Sequence, residues 1–314
     1  MSASPTTERG AGALVALSTE LADAVERAGR STVAIHARRR IPSSGVLWRP
    51  GIVVAASHTV RRDDDITLTL PGGGTVAASL AGRDAGTDLA VLRLSDGAAG
   101  GTPATPAPED AARVGALVVA VGRPGDSVTA SLGIISAVGG EWRTWQGGRV
   151  DRFIRLDLAI YDGFSGGPLV DAAGRVLGVN TSGLTRAAPI TIPVSTVARV
   201  ADELLAKGHV RRGYAGVAVQ PVDIPERLVR EHGLPADSAL LVVAVEQGGP
   251  ADRAGILIGD LLVSVAGAPL AEPTDLLAAL GGKEPIELRL VRGGAPLTVS
   301  LTPGDRPARG GRGR

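Results

Sequence analysis

The chain has 314 residues, enough for two domains with separate cores. Its 33 basic and 32 acidic side chains leave a formal charge of +1, which removes any global electrostatic case for nucleic acid or an anionic membrane as partner. Cysteine is absent, so neither a disulfide framework nor a Cys-based metal site can form, and no metal or cofactor is expected. With three Trp, two Tyr and two Phe, the cores must be built from Val, Leu, Ile and Ala.

The first ten residues hold no apolar core, and no stretch approaches the ~20 apolar residues of a membrane span. A cytoplasmic location is the default expectation. Residues 13 to 28 place Leu14, Leu17, Leu21 and Val25 at helical spacing, with Glu20, Asp23 and Glu26 elsewhere on the wheel, which predicts a short amphipathic helix. Its apolar stripe is expected to pack on the protein's own body; the alternative is a trimer or partner contact.

From Ser31 to about Ser182 the chain reads as short strands punctuated by Gly, Pro and Asp. STVAIHA, SGVLW, GIVVAAS, DITLTL, TVAASLAG and DLAVLRL form one set of six; ALVVAV, SVTASLGIISAV, DRFIRLDLA, GPLVD, RVLGVNTS and APITIPV form another. The Ala/Pro/Gly-rich stretch SDGAAGGTPATPAPED joins them and carries no expected chemistry. Two such sets suit two β-barrels with a cleft between them. The segment GGEWRTWQGGRV at 139 to 150 is either a mobile regulatory loop or an ordinary hairpin whose indoles cover the barrel edge. STVARVADELLAKGHV follows, with Val197, Val200, Ala201, Leu204 and Leu205 at helical spacing and Gly208 placed to end the helix, a candidate domain hinge. Residues 213 to 303 read as strands with two helices, PADRAGI and TDLLAALGG, and of Leu276, Leu277 and Leu280 two are expected in the core. The basic, glycine-rich close PARGGRGR reads as a disordered tail.

Chemistry concentrates in Gly163-Phe164-Ser165-Gly166-Gly167. A serine hydroxyl is a poor nucleophile at neutral pH and needs a base, a group that orients the base, and N–H donors for a developing oxyanion. Glycine on both sides of Ser165 allows the N–H groups of Gly163 and Ser165 to share one concavity. A tight turn between two strands fits the same letters. His58 ends one strand-like run and Asp88 begins another, so the order is His, Asp, Ser, that of the chymotrypsin-like arrangement. The α/β-hydrolase elbow also reads G-x-S-x-G, but its acid and histidine follow the serine. Only His209 and His232 follow Ser165, and neither stands in a suitable segment.

Seven segments in order resemble the HtrA (Deg) family of trypsin-like serine proteases with one PDZ domain, over residues 33 to 303. They are SGV at 44 to 46, ASHTV, GRDAGTDLAVLRL, GFSGGPLVDAAGRVLGVNTS, ITIPV, RRGYAGV and GGPADRAGILIGDLLVSVAG. The resemblance implies a mainly β fold, a chymotrypsin-like double β-barrel followed by a PDZ domain, a small barrel-like sheet with two helices. The corresponding spans are an N-terminal segment 1–30, a protease domain 31–207, a PDZ domain 208–304 and a tail 305–314. It further implies His58, Asp88 and Ser165 as catalytic residues and Gly163 with Ser165 as the oxyanion hole. Ala159, Ile160, Asn180, Thr181 and Ser182 fall at the substrate pocket, with no carboxylate at Ala159, so aliphatic residues are expected before the scissile bond. Tyr214, Ala215, Gly216 and Val217 match the loop that grips a peptide C-terminus.

The implied function is ATP-independent cleavage of unfolded or damaged proteins, in a homotrimer, and many family members are exported. The chain departs from the family's N-P-G-N-S-G-G at Tyr161, Asp162 and Phe164, and from its G-S-G-V at Ser43. Ser43 is small and reads as tolerated, while Tyr161 and Phe164 leave open a catalytically weak PDZ scaffold or holdase.

Overall fold

A computed structural model describes residues 5–95, 101–185, 189–210, 213–282 and 284–305. Residues 96–100 of the expected linker, the arginines at 211 and 212, and the basic tail lie outside the described residues. The chain divides into two compact units, residues 1–210 and 211–314.

The first unit holds two closed six-stranded barrels. Around the first barrel the strands run Thr32–His36, Ser43–Arg49, Ile52–Ala56, Leu89–Leu94, Thr75–Asp84 and Ile66–Thr69. Their inward positions are mostly β-branched or leucine, with Ala55 and Ala90 as smaller members, and Val33, Ile35, Leu47, Val53, Ile66, Leu68 and Leu92 fill the interior. Strand Thr75–Asp84 begins by alternating exposed and half-buried positions, the period-two pattern of a sheet with one face toward solvent. The second barrel runs Phe153–Asp157, Ile190–Pro193, Val176–Thr181, Pro168–Asp171, Leu117–Gly122 and Thr129–Gly139 around Ile135, Ile154, Leu156, Phe164 and Leu169.

A third cluster joins the barrels, because Val46, Val54 and Val91 of the first meet Val179, Ile190 and Ile192 of the second. Helix Val194–Lys207 packs Val197, Val200, Ala201 and Leu204 into the same cluster, one face at the i, i+3, i+4, i+7 spacing. Gly208 ends it in the left-handed conformation, its N–H donating to Leu204 O. The N-terminal helix extends over Pro5–Gly29. Its Leu21, Val25 and Ala28 pack on Val119, Val121, Val170 and Val176 of the second barrel, whereas Leu14, Val15 and Leu17 are exposed. Half of the apolar stripe therefore serves the barrel.

The 142–150 segment is a hairpin of Trp142–Arg143 with Arg149–Val150. Trp142 is half-buried edge-to-face against Phe153, 5.6 Å between centroids, while Trp145 is 76 % exposed. One indole covers the barrel and the other faces solvent.

In the second unit a sheet runs Val217–Asp223, Ser238–Val245, Leu261–Val265, Ile286–Arg292 and Ala295–Leu301. Helix Pro273–Ala279 starts with a capping box between Glu272 and Asp275. Leu276 and Leu280 are buried in the core of this unit and Leu277 is 37 % exposed. Helices Pro250–Arg253 and Pro273–Ala279 are the two expected, and Glu226–His232 adds a third, too short and too polar to show periodicity in the sequence.

Candidate active site

His58 sits on a single 3-10 turn, Ser57–Thr59, that ends strand Ile52–Ala56. Asp88 precedes strand Leu89–Leu94, the neighbour of that strand, so sheet pairing alone brings the two residues together. The contact is double. Asp88 Oδ1 accepts the His58 backbone N–H at 2.8 Å, and Asp88 Oδ2 lies 2.7 Å from His58 Nδ1. A carboxylate can only accept from a neutral imidazole, so Nδ1 carries the proton and Nε2 keeps a basic lone pair. Asp88 is buried and His58 is 35 % exposed at its side chain, which leaves the ring reachable. Asp88 also holds φ +55°, unusual for a non-glycine residue, and its loop is fixed by Asp84, which accepts from Thr87 N–H and hydroxyl.

Thr181, expected at the substrate pocket, and Gly183, which the sequence left without a role, complete this pair. The Thr181 hydroxyl donates to Asp88 Oδ2 and accepts the Gly183 N–H. A Cβ at Gly183 would lie 2.7 Å from both Asp88 Oδ2 and His58 Nδ1, so only glycine lets the chain cross here. The hairpin residue Thr144 donates to Gly86 O at 2.8 Å, tying a second-barrel loop to the loop of Asp88.

Ser165 lies in the loop after strand Phe153–Asp157. Phe164 N–H donates to Tyr161 O at 3.0 Å and Gly163 has φ +90°, the pattern of a type II turn with glycine at its third position. Among the described residues, neither the Gly163 nor the Ser165 N–H donates to any acceptor. The Ser165 hydroxyl pairs with Ser182 Oγ at 3.1 Å rather than with the imidazole. Ser182 adjoins Gly183, so the serine reaches the turn that covers the His58–Asp88 pair. Phe164 is buried in the second barrel, edge-to-face with Tyr161 at 5.4 Å.

Of the expected pocket residues, Ala159 is exposed and Ile160 half-buried, beside half-buried Leu158. Asn180 is buried, its Oδ1 accepting from Thr191 and its backbone paired with Gly166 and Gly167. Thr181 is the last residue laddered to the strand Ile190–Pro193, and Ser182 lies beyond it.

In the other unit, Gly216 has φ +76°, Ala215 O accepts from Ala251 N–H, and Gly216 O accepts from Glu246 N–H. Tyr214 hydroxyl donates to the Glu246 carboxylate. No described residue accepts the N–H of Ala215 or Gly216. The strand that follows, Val217–Asp223, is an edge strand of its sheet.

Residues 43–179 match the trypsin-like peptidase domain and residues 241–292 match the PDZ domain. A probable periplasmic serine endoprotease DegP-like of Rhizobium meliloti is 38% identical over 283 residues, and one of Brucella suis 38% identical over 261 residues. These alignments take in 86% and 80% of this chain but 55% and 50% of the relatives, so the chain spans about half their length. Among solved structures, the HtrA-type protease AlgW with tripeptide is 30% identical with TM-score 0.70, covering 92% of this chain and 98% of that one. The serine endoprotease from Yersinia pestis is 28% identical with TM-score 0.70, covering 90% and 97%. Matched domains in the same order and likeness along nearly the whole of a solved relative place this chain in the HtrA family of trypsin-like proteases with one PDZ domain.

Proposed function

We propose that the chain is a serine endopeptidase that cleaves exposed, extended segments of unfolded or damaged proteins without ATP. The observation that carries the reading is the His58–Asp88 pair, locked in the tautomer that leaves Nε2 basic, beside a serine loop with two unclaimed N–H groups. In this reading Ser165 Oγ attacks the scissile carbonyl and His58 Nε2 takes its proton. Asp88 orients the ring and stabilises the imidazolium, while Gly163 and Ser165 N–H receive the oxyanion. His58 then protonates the leaving amine, and water hydrolyses the acyl-enzyme by the same route. Leu158, Ala159 and Ile160 offer no carboxylate to a basic side chain, which supports small or medium aliphatic residues before the cut.

The loop Tyr214–Val217 and the edge strand after it would take the C-terminus of a peptide as an added strand. A homotrimer belongs to the same reading, and exposed Leu14, Val15 and Leu17 support a contact between subunits. The relatives' names support an exported, periplasmic location rather than the cytoplasmic default.

One observation favours a weakly active scaffold or holdase, namely that Ser165 is paired with Ser182 instead of His58. Casein digestion by the purified chain, with and without Ser165→Ala, tests the choice, together with labelling by a fluorophosphonate. Digestion and labelling that both vanish in Ser165→Ala are expected; a wild-type chain inert in both assays would leave the scaffold.

A further inference from the structure

Ser44 meets the nucleophile loop from the first barrel, through backbone and side chain together. Its N–H donates to Ser165 O at 3.3 Å, and its hydroxyl donates to Gly163 O at 2.6 Å. That hydroxyl accepts the N–H of Arg123 at 2.8 Å. With one lone pair claimed by Arg123, the hydroxyl proton is aimed at Gly163. Arg123 is itself fixed. Its buried guanidinium donates to the carbonyls of Thr32, Asp126 and Gly29 at 2.7, 2.6 and 3.2 Å.

The loop needs such a hold. The Gly163–Phe164 peptide closes the turn, with its N–H on Tyr161 O and its C=O on Ser44, so losing the Ser44 bond frees the peptide that seats Gly163 and leads into Ser165. We infer that Ser44 is a positioning residue for the oxyanion loop: by fixing the Gly163–Phe164 and Ser165–Gly166 peptides through their carbonyls, it holds the loop in the shape that leaves the Gly163 and Ser165 N–H groups available to the cleft. This role rests on the serine protease reading given above.

Ser43 supplies the internal control. It is as fully buried as Ser44, yet its hydroxyl has no partner among the described residues. Ser44→Ala and Ser43→Ala therefore remove the same atom from neighbouring buried positions, and only the first touches the loop. kcat and KM on a fluorogenic peptide, and inhibition by a peptide boronate that mimics the tetrahedral intermediate, are measured for both.

Ser44→Ala is expected to lower kcat about 10- to 100-fold with KM within about threefold, and to weaken the boronate in proportion to kcat/KM. Ser43→Ala should stay within about twofold in all three. Equal losses in the two variants, or a Ser44→Ala loss carried by KM, would overturn the role. If Ser44→Ala folds poorly, Ser44→Cys fills the space with a weak donor, and it must show the same loss confined to kcat. A wild-type chain that neither cleaves nor labels removes the protease reading, and this role with it; a cleaving wild type with an unimpaired Ser44→Ala removes this role alone.

Discussion

The loop Tyr161–Gly167 of the peptidase unit and the loop Tyr214–Val217 of the C-terminal unit are built on one plan. Each turns on a glycine at positive φ, Gly163 at +90° and Gly216 at +76°. Each has its carbonyls claimed by neighbours, Gly163 O by Ser44 and Gly216 O by Glu246 N–H, and leaves N–H groups without a described acceptor. They part at what stands beside the hole. The first has a serine hydroxyl and an imidazole already committed to a carboxylate; the second has a strand edge and a tyrosine tied to a glutamate. A backbone concavity of this kind suits any anion. Under the proposed function, the side chains around it decide whether it serves a passing oxyanion or a resident carboxylate.

The comparison breaks first at the reactive groups. Ser165→Ala and His58→Ala are each expected to cut turnover by about 10⁴- to 10⁶-fold, with the double variant no worse, because the residues act as one unit. Losses that multiply in a peptide assay would end the assignment. Asp88→Asn should cost about 10⁴-fold through the wrong tautomer.

Next comes the anchor of the first loop. Phe164 is 2 % exposed and its ring lies on Gly122, where a Cβ would fall 2.7 Å from a ring carbon. Phe164→Asn should destabilise the peptidase unit by about 3 kcal/mol, read by thermal melting, while folded molecules still take a fluorophosphonate. Unchanged melting with a large gain in activity would instead make the ring a brake.

Gly183→Ala probes what the second loop lacks, since the new methyl would press on His58 Nδ1 and Asp88 Oδ2. About a 100-fold fall in kcat is expected, with peptide binding to the C-terminal loop untouched in calorimetry. The counterpart, Gly216→Ala, forces a side chain to φ +76° at about 1 kcal/mol. Roughly fivefold weaker binding of a free-carboxylate peptide should follow, measured on the full chain carrying Ser165→Ala. Amidating that peptide should abolish binding, and equal affinity for both forms would show that the loop holds no carboxylate.

The smallest effect separates the units by acidity. Asp260 is buried and accepts two bonds from Arg292, at 2.8 and 2.7 Å. Burial pushes its carboxyl up, but the hydrogen bonds from Arg292 and Leu257 N–H and the Arg292 charge outweigh that, leaving it below the ordinary carboxylate value. A carboxyl lowered on folding contributes stability above its unfolded value of about 3.9, and that contribution is lost as pH falls through the lower folded value. Melting of the C-terminal unit should therefore weaken below about pH 4, and Asp260→Asn should flatten that limb. An identical acid limb in the variant would exclude the pair as its source.

The two-barrel plan was legible because each strand is a short apolar run with turn residues at its ends, and helix 194–207 because Val197, Val200, Ala201 and Leu204 repeat at helical period. His58, Asp88 and Ser165 stood out by order and setting. Thr181 was read as pocket lining, and its bond to Asp88 stayed hidden because a partner 93 residues away is encoded in no local pattern. Arg123 was invisible for a related reason. Arginine is rarely buried, and here three backbone carbonyls from distant or adjacent segments make burial tolerable even as it lowers the guanidinium pKa. Ser182 was read as pocket lining, and its pairing with the Ser165 hydroxyl joins two segments 17 residues apart that no local pattern links.

Each barrel closes with strands drawn from one continuous stretch of chain, and in the first the closing contact pairs Thr32–His36 with Ile66–Thr69. A nascent chain can thus finish the barrel bearing His58 and Asp88 at Leu94 while the acceptor of the Ser44 hydroxyl, Gly163, 69 residues further on, is still to be made. At synthesis rates of about 5–20 residues per second, that interval is roughly 3 to 14 s. Under the proposed assignment, the chain order delivers base and acid first and the nucleophile last, so a partly folded polypeptide has no means of cutting itself until the second barrel has shut.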